Sequence, residues 1–186
     1  LATIEEGLRI ANQCGERYEL GFFHRTHALC LARRGDVDGA IRAMASSTAA
    51  FDENGNPFEK AVSQQMLARI CTRFPGEGVL LKSKAELTDS VVALARLDDS
   101  RGQIISHALL SSIERRLGNF DDALLAVYEA DRLAADEECA RFRRPLAALR
   151  HRVETQMSNA TRRVLDQFSV LGDIQGGARS REQLSK

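Results

Sequence analysis

The sequence has few of the residues that build sheets and sandwiches. Trp is absent, aromatic residues make up 5% of the 186 residues, and only three prolines are present. A hydrophobic content of 44% with so few aromatics suits Ala- and Leu-rich helix packing better than a sandwich of sheets. The composition therefore favours an all-α fold.

Closely spaced cysteines are also absent. Cys14, Cys30, Cys71 and Cys139 lie far apart, and no pair has the CxxC spacing of a zinc knuckle or a redox motif. Because a free cysteine packs as a small hydrophobic residue, we interpret the four as buried free thiols.

Long apolar runs are lacking as well. No stretch approaches the roughly 18 apolar residues that a membrane helix requires, and no basic, apolar, small-residue signal sequence opens the chain. We therefore expect a cytoplasmic protein with no membrane partner. The first residue is Leu rather than Met, which suggests a piece of a longer polypeptide.

Catalytic motifs are missing too. The chain has no GxxxxGK[ST] phosphate-binding loop, no GxSxG elbow and no HExxH motif. A metal-dependent enzyme would rest on His24 and His27 alone, and a pair of histidines without a third ligand is a weak metal signal. We expect no enzyme activity, no metal and no cofactor.

One helical hairpin stands out between Gln103 and Leu133. Apolar residues recur at helical spacing up to Leu117, stop at Gly118-Asn119, and resume at Phe120. So short a hairpin cannot bury both of its faces by itself. It therefore predicts further copies to stack on.

Similar segments precede this hairpin. The predicted helices are Ile4 to Gln13, Tyr18 to Arg34, Val37 to Phe51, Phe58 to Phe74 and Val79 to Leu97. Three lead-in turns, Gly15-Glu16-Arg17, Gly55-Asn56-Pro57 and Asp99-Ser100-Arg101, precede first helices at offsets of about 40 and 44 residues.

The small residues of the hairpin follow a familiar spacing. Ser111, Gly118, Phe120, Ala123 and Ala130 resemble the small and aromatic positions of the tetratricopeptide repeat. The resemblance covers residues 3–135, although the usual Pro after the second helix is missing and His107 replaces an early aromatic. It implies an α-α superhelix of antiparallel helix pairs, eight helices in a right-handed arc, with Ala28, Ala68 and Ala123 buried where helices cross.

Repeats of about 40 residues look like the tetratricopeptide arrays of bacterial signalling proteins and large transcription regulators. That resemblance implies a protein–protein interaction module, the sensory or scaffolding region of a larger regulator, which binds a peptide or protein in its concave groove. The positions carried over to the groove are Phe22, Arg25, Leu29 and Arg33, then Val62, Gln65, Arg69 and Arg73, then Ile105, Ser112, Arg115 and Arg116.

Arginine recurs at the far end of all three predicted groove helices. Such a basic strip suits the carboxylates of an acidic peptide or a phosphate. The alternative is that these arginines pair with Glu and Asp at the helix ends. Leu29, Arg69 and Ser112 stand where chaperone-binding members of the family usually carry Asn, so a clamp for a C-terminal carboxylate is not expected.

The pattern changes after Ala135. We predict a solenoid over residues 1–137, a long helix over residues 138–175, and a flexible linker over residues 176–186. Pro145 either kinks this helix or marks its true start. Apolar residues recur along it at intervals of three and four, close to a coiled-coil seam: Leu149, Val153, Met157, Ala160, Val164, Phe168, Leu171 and Ile174.

Two roles remain open for this helix. Its first half, Leu146 to Met157, is expected to cap the last repeat. Its second half either continues as a cap or pairs with another chain in a parallel homodimer. The dimer contacts would be Val153, Met157, Ala160, Val164, Phe168 and Leu171.

Charge suggests an alternative function. The chain has a net charge of +0, yet residues 141–186 contain ten Arg or Lys against four Asp or Glu. The alternative is therefore a nucleic-acid-binding regulator that uses this basic segment, with an affinity that falls steeply with salt. A solvated helix face explains the same charges, since no aromatic stacking residues accompany them.

Overall fold

The structure is a computed structural model that describes residues 2–74, 76–161 and 163. Over these residues the chain is all-α, with consecutive helices and no strand, as the composition predicts. None of the helices in these ranges is long and apolar enough to cross a membrane.

The described helices follow one another with short connections. They are α1 (Ala2–Cys14), α2 (Arg17–Arg33), α3 (Val37–Glu53), α4 (Pro57–Cys71), α5 (Glu77–Arg96), α6 (Ser100–Leu117) and α7 (Phe120–Leu133), then a 3₁₀ helix (Glu137–Phe142) and α8, which is described over residues 143–161. Six of these eight α-helices begin within two residues of their predicted starts, α6 begins three residues before Gln103, and α8 begins later than predicted.

Positive-φ residues end five of the described helices before the next one starts. Gly118 has a φ of 82°, a left-handed conformation that glycine adopts without a Cβ clash. Asp98 takes the same role before α6 with a φ of 54°. Asp98 therefore corresponds to Gly15 and Gly55, and the steps from 15 to 55 and from 55 to 98 are 40 and 43 residues. The predicted third lead-in turn started at Asp99, one residue after the equivalent position, so the predicted offset of about 44 residues is 43 in the structure.

Side-chain caps start three of the helices. The carboxylates of Asp36 and Asp99 accept hydrogen bonds from the backbone N–H groups of Gly39 and Gly102 at 2.9 and 3.0 Å. Asn56 accepts one in the same way before α4, where Pro57 occupies the first helical position.

The helices pack consecutively in pairs. α2 packs with α3, α4 with α5, and α6 with α7, while α3–α4 and α5–α6 contacts join each pair to the next. α4 also contacts α6 directly. The first helices of successive pairs therefore lie side by side and form one face of a helical repeat array.

Small residues occupy the close crossings. Ala28, Ala68 and Ala123 are completely buried, which confirms the prediction for all three. Gly21 shows why size matters, because a Cβ added there would lie 2.5 Å from the Phe51 ring. The helices therefore approach too closely for larger side chains at these points.

Serine pairs repeat between successive helices. The Ser47 and Ser63 hydroxyls lie 2.9 Å apart between α3 and α4, and those of Ser90 and Ser106 lie 3.0 Å apart between α5 and α6. All four side chains are buried. The same polar contact thus recurs at the two junctions between successive helix pairs, at an offset that matches the 43-residue step.

The C-terminal helix starts later than the pattern predicts. Residues 137–142 form a 3₁₀ helix, and α8 begins at residue 143, so Pro145 lies in its first turn. Proline is accommodated there because the first backbone N–H groups of a helix have no intrahelical acceptor. Leu146 then packs with Ile104 and Ala130, which places this part of α8 over the last helix pair.

The interpretation of the cysteines holds only in part. Cys71 and Cys139 are buried, whereas Cys30 is partly exposed and Cys14 is exposed. Cys14 ends α1, a helix that buries only Ala11, so the packing there covers little of the chain.

Candidate functional site: an arginine groove on the first helices

Two depressions lie along the face built by the first helices. The α2–α4 depression has a volume of about 260 Å³ and the α6–α8 depression about 290 Å³. Arg69 lines both, so they form one continuous surface, here called the arginine groove. The α2–α4 depression is lined by Leu29, Ala32, Arg33, Met66, Arg69, Ile70, Arg73 and Phe74. The α6–α8 depression is lined by Arg69, Ile104, Ile105, Ala108, Leu109, Ser112, Phe142, Pro145, Leu146, Leu149 and Arg152.

The structure brings six of the predicted groove residues together, and Ile105 is one of them because it lines the α6–α8 depression. Leu29, Arg33, Arg69 and Arg73 line the α2–α4 depression, and Ser112 joins Arg69 in the α6–α8 depression. Leu29 and all three of these arginines are exposed. They recur because residues one helical turn apart on a first helix face the same side of the array.

Among the described residues, no Asp or Glu lines either depression. The lining residues are apolar, apart from Ser112 and four arginines. Arg33, Arg69 and Arg73 form no ion pair with any Asp or Glu of the described ranges, whose ion pairs involve other cations. The alternative interpretation, that arginines pair at helix ends, therefore does not account for these three.

Arg25 does not belong to the groove, because it is buried between helices. Its guanidinium forms an ion pair with Glu59 at 2.7 Å and donates to the Ser63 hydroxyl and the Glu59 carbonyl oxygen. It also lies 5.1 Å from the ring centroid of Phe22 and 4.8 Å from that of Phe51. Through these contacts the Arg25 guanidinium joins α2, α3 and α4, so Arg25 is a structural residue.

Gln65 is likewise buried and holds α4 to α6. Its amide nitrogen donates to the Gly102 carbonyl oxygen and to the Ser106 hydroxyl, each at 2.9 Å. These acceptors correspond to those of Arg25, a backbone carbonyl and a serine of the following first helix. Arg25 and Gln65 were predicted to occupy equivalent groove positions. In the structure both side chains instead join one first helix to the next.

Arg116 and Arg115 lie at the end of α6 and differ in role. Arg116 donates to the carbonyl oxygens of Cys71, Thr72 and Phe74, and so caps the C-terminal end of α4. Arg115 donates to the Gln156 side chain at 2.7 Å, while its buried Nε has no partner among the described residues. Burial, and then the charges of Arg152 and Arg116, lower the pKa of Arg115.

Sequence reasoning missed the contribution of the 3₁₀ helix and α8 to the groove. Phe142, Pro145, Leu149 and Arg152 form one wall of the α6–α8 depression. These residues lie in the segment predicted to cap or dimerise, and nothing in a single sequence indicates where such a helix docks. Met66 and Phe74 were also missed, although their apolar character in the first-helix pattern was a usable signal.

The six predicted dimer contacts differ in where they lie. Val153 is fully buried within its own chain, so it is a capping residue in this conformation. Met157 and Ala160 are half-buried. Val164, Phe168 and Leu171 lie outside the described residues, and self-association through them stays a prediction.

His24 and His27 do not form a metal site with other residues. Among the side chains that the structure describes, no group of three or more His, Cys, Asp or Glu is placed to hold a metal ion. Burial, and then the neighbouring His27, lower the pKa of His24. His24 lines a separate cavity of about 660 Å³ between α1, α2 and α3, whose lining mixes acids with bases.

Comparison with known proteins does not assign this chain to a family. No protein-family model matches it, and no curated protein matches it significantly. The arginine groove is therefore interpreted from its own geometry and chemistry.

Proposed function

We propose that this chain is a protein–protein interaction module that binds an acidic peptide segment in the arginine groove. One observation carries the proposal: two apolar depressions share Arg69, are bordered by Arg33, Arg73 and Arg152, and have no acidic side chain among their described lining residues. A peptide with carboxylates next to apolar side chains is complementary to both features of this surface.

The apolar floor supports a peptide more than a small anion. Leu29 is 37% exposed, and Met66 and Phe74 are partly exposed beside it. Burying such surface under a ligand is favourable by about 25 cal/mol per Å² of apolar area. The arginines then select for acidic residues and fix the orientation of the peptide.

We further propose that the array is a tetratricopeptide-like scaffold or sensory region of a larger bacterial regulator. The 40- and 43-residue steps and the repeated serine pairs support a repeat architecture. The basic C-terminal segment supports the nucleic-acid alternative less well, because Arg143 and Arg150 bind the Ala134 carbonyl and Asp131 within the chain.

The test is selection from a random peptide library displayed on phage, followed by fluorescence polarisation with the selected peptides. We expect selected sequences to combine Asp or Glu with aliphatic or aromatic residues. Reversing Arg69 and Arg73 to Glu should weaken binding by more than tenfold, since each charged pair contributes roughly 1 kcal/mol or more at a partly desolvated site.

A matched control reverses two arginines on second helices. Arg42 and Arg96 are exposed on α3 and α5 and line neither depression. The Arg42→Glu, Arg96→Glu variant has the same net charge as the groove variant and should bind like the unmodified protein. Equal binding by a folded groove variant would place the peptide elsewhere and refute the proposal.

A further inference from the structure

The α6–α8 depression lies near arginines of three different helices. Arg69 of α4 and Arg152 of α8 line it, and Arg115 of α6 is one turn beyond the lining residue Ser112. The positive charge of Arg152 acts on Arg115 strongly enough to lower its pKa, after burial. Cations of α4, α6 and α8 thus lie in this part of the array, with Arg152 close enough to Arg115 for its charge to act on it.

Their donors are only partly used inside the chain. Arg115 donates one bond to Gln156, and its buried Nε has no partner among the described residues. Among the described residues, Arg152 donates to the carbonyl oxygen of Ala148 alone, at 3.3 Å and in its own helix. Because a buried donor without an acceptor is unfavourable, an anion that reached these arginines would supply acceptors for their unused donors.

The number of cations distinguishes between anions. A carboxylate carries one charge and two oxygens, which one guanidinium satisfies in a bidentate pair. A phosphoryl group on a side chain carries a charge of about −1.5 to −2 at pH 7 and three acceptor oxygens. Guanidinium groups of three helices therefore match a phosphoryl group better than a single carboxylate.

We propose that the α6–α8 depression binds the phosphoryl group of a phosphorylated side chain on the peptide that occupies the arginine groove. This inference rests on the proposed peptide-binding function and names the chemistry of one subsite. Ile105, Leu109 and Leu149 would receive an apolar residue next to the phosphorylated one, because they line the same depression.

The experiment uses three synthetic peptide libraries that differ only at a fixed central residue, which is phosphoserine, serine or glutamate. Binding to the immobilised full chain is measured for each. We expect the phosphoserine library to be retained about tenfold or more above the serine library, the gain typical of at least one charge-assisted hydrogen bond. Retention of the glutamate library should lie between that of the phosphoserine library and that of the serine library.

Variants then locate the preference. Arg152→Gln should reduce the ratio of phosphoserine to serine binding to near one, and Arg69→Gln should reduce it in part. Both arginines are exposed, so the fold is expected to survive, which circular dichroism checks. Arg96→Gln on α5 removes the same charge outside the groove and should leave the ratio unchanged.

The outcomes separate this subsite from the general function. Equal retention of all three libraries would leave peptide binding standing and overturn the phosphoryl subsite. A phosphoserine preference that persists in Arg152→Gln would also overturn it. Retention of none of the libraries would contradict both the subsite and the peptide-binding function.

Discussion

Replacing Arg25 by Ala is expected to destabilise the fold more than any other exchange of an arginine in the groove helices. The side chain is 10% exposed and its ion-pair partner Glu59 is 17% exposed. Removing it would leave the Glu59 carboxylate without its cation, and would remove the donors to Ser63 and the contacts with Phe22 and Phe51.

The magnitude follows from that burial. Breaking a buried pair by removing one partner costs about 3–5 kcal/mol, and we expect the low end because Glu59 retains some contact with water. Since a domain of this kind is stable by about 5–15 kcal/mol, the loss is a large share of the total. Arg25→Lys keeps the charge but loses the forked donors and the contacts with the aromatic rings, so it should retain only part of the stability that Arg25→Ala loses.

The assay is urea unfolding followed by circular dichroism, with the free energy of unfolding extrapolated to water. Arg34→Ala is the matched control, because Arg34 is exposed at the end of the same helix and should change stability by less than about 0.5 kcal/mol. Combining Arg25→Ala with Glu59→Gln should cost less than the sum of the two single changes. An Arg25→Ala variant as stable as the control would refute the assignment of Arg25 to the core.

Two further predictions concern packing and pH. Replacing the fully buried Ala123 by Leu should overpack the crossing of α6 and α7 and cost about 1–3 kcal/mol, whereas Leu at the exposed Ala85 should have little effect; equal melting temperatures would contradict the close crossing. Burial lowers the pKa of His24 and His107 below the ordinary 6.5, so the unfolded chain binds more protons in this range and stability should fall as pH drops through about 6.5. Changing both histidines to Gln should flatten the stability difference between pH 7.5 and pH 5.5, and an unchanged difference would show that these side chains are not held neutral.

Most helix boundaries could be predicted from the sequence because turn conformations and capping hydrogen bonds set them. Gly118 ends α6 in a left-handed conformation, and Asp36, Asn56 and Asp99 cap the helices that follow them. These effects involve residues at most a few positions apart. The turn at Asp98 was misaligned by one residue, since a non-glycine residue at positive φ gives no clear signal, and α8 was predicted to start too early.

The groove was predictable only in its outline. The repeat spacing correctly placed Arg33, Arg69 and Arg73 on one face, because equivalent positions of stacked helices share a side. Two other predicted groove residues, Arg25 and Gln65, are buried instead. They occupy equivalent positions, and each donates hydrogen bonds that join one first helix to the next. Whether an arginine faces solvent or a neighbouring helix depends on the angle and distance of packing, which local pattern does not specify.

The sequence by itself determined the all-α class, the succession of helices and the small residues at their crossings, because these depend on periodicity and short-range capping. Tertiary structure alone decided how α8 docks. It buries Val153 inside the chain and brings Arg152 beside Arg115 from a residue separation of 37 positions, 115 to 152. Contacts between residues so far apart arise from the stacking of the intervening helices, so local sequence patterns do not specify that Arg115 and Arg152 are neighbours.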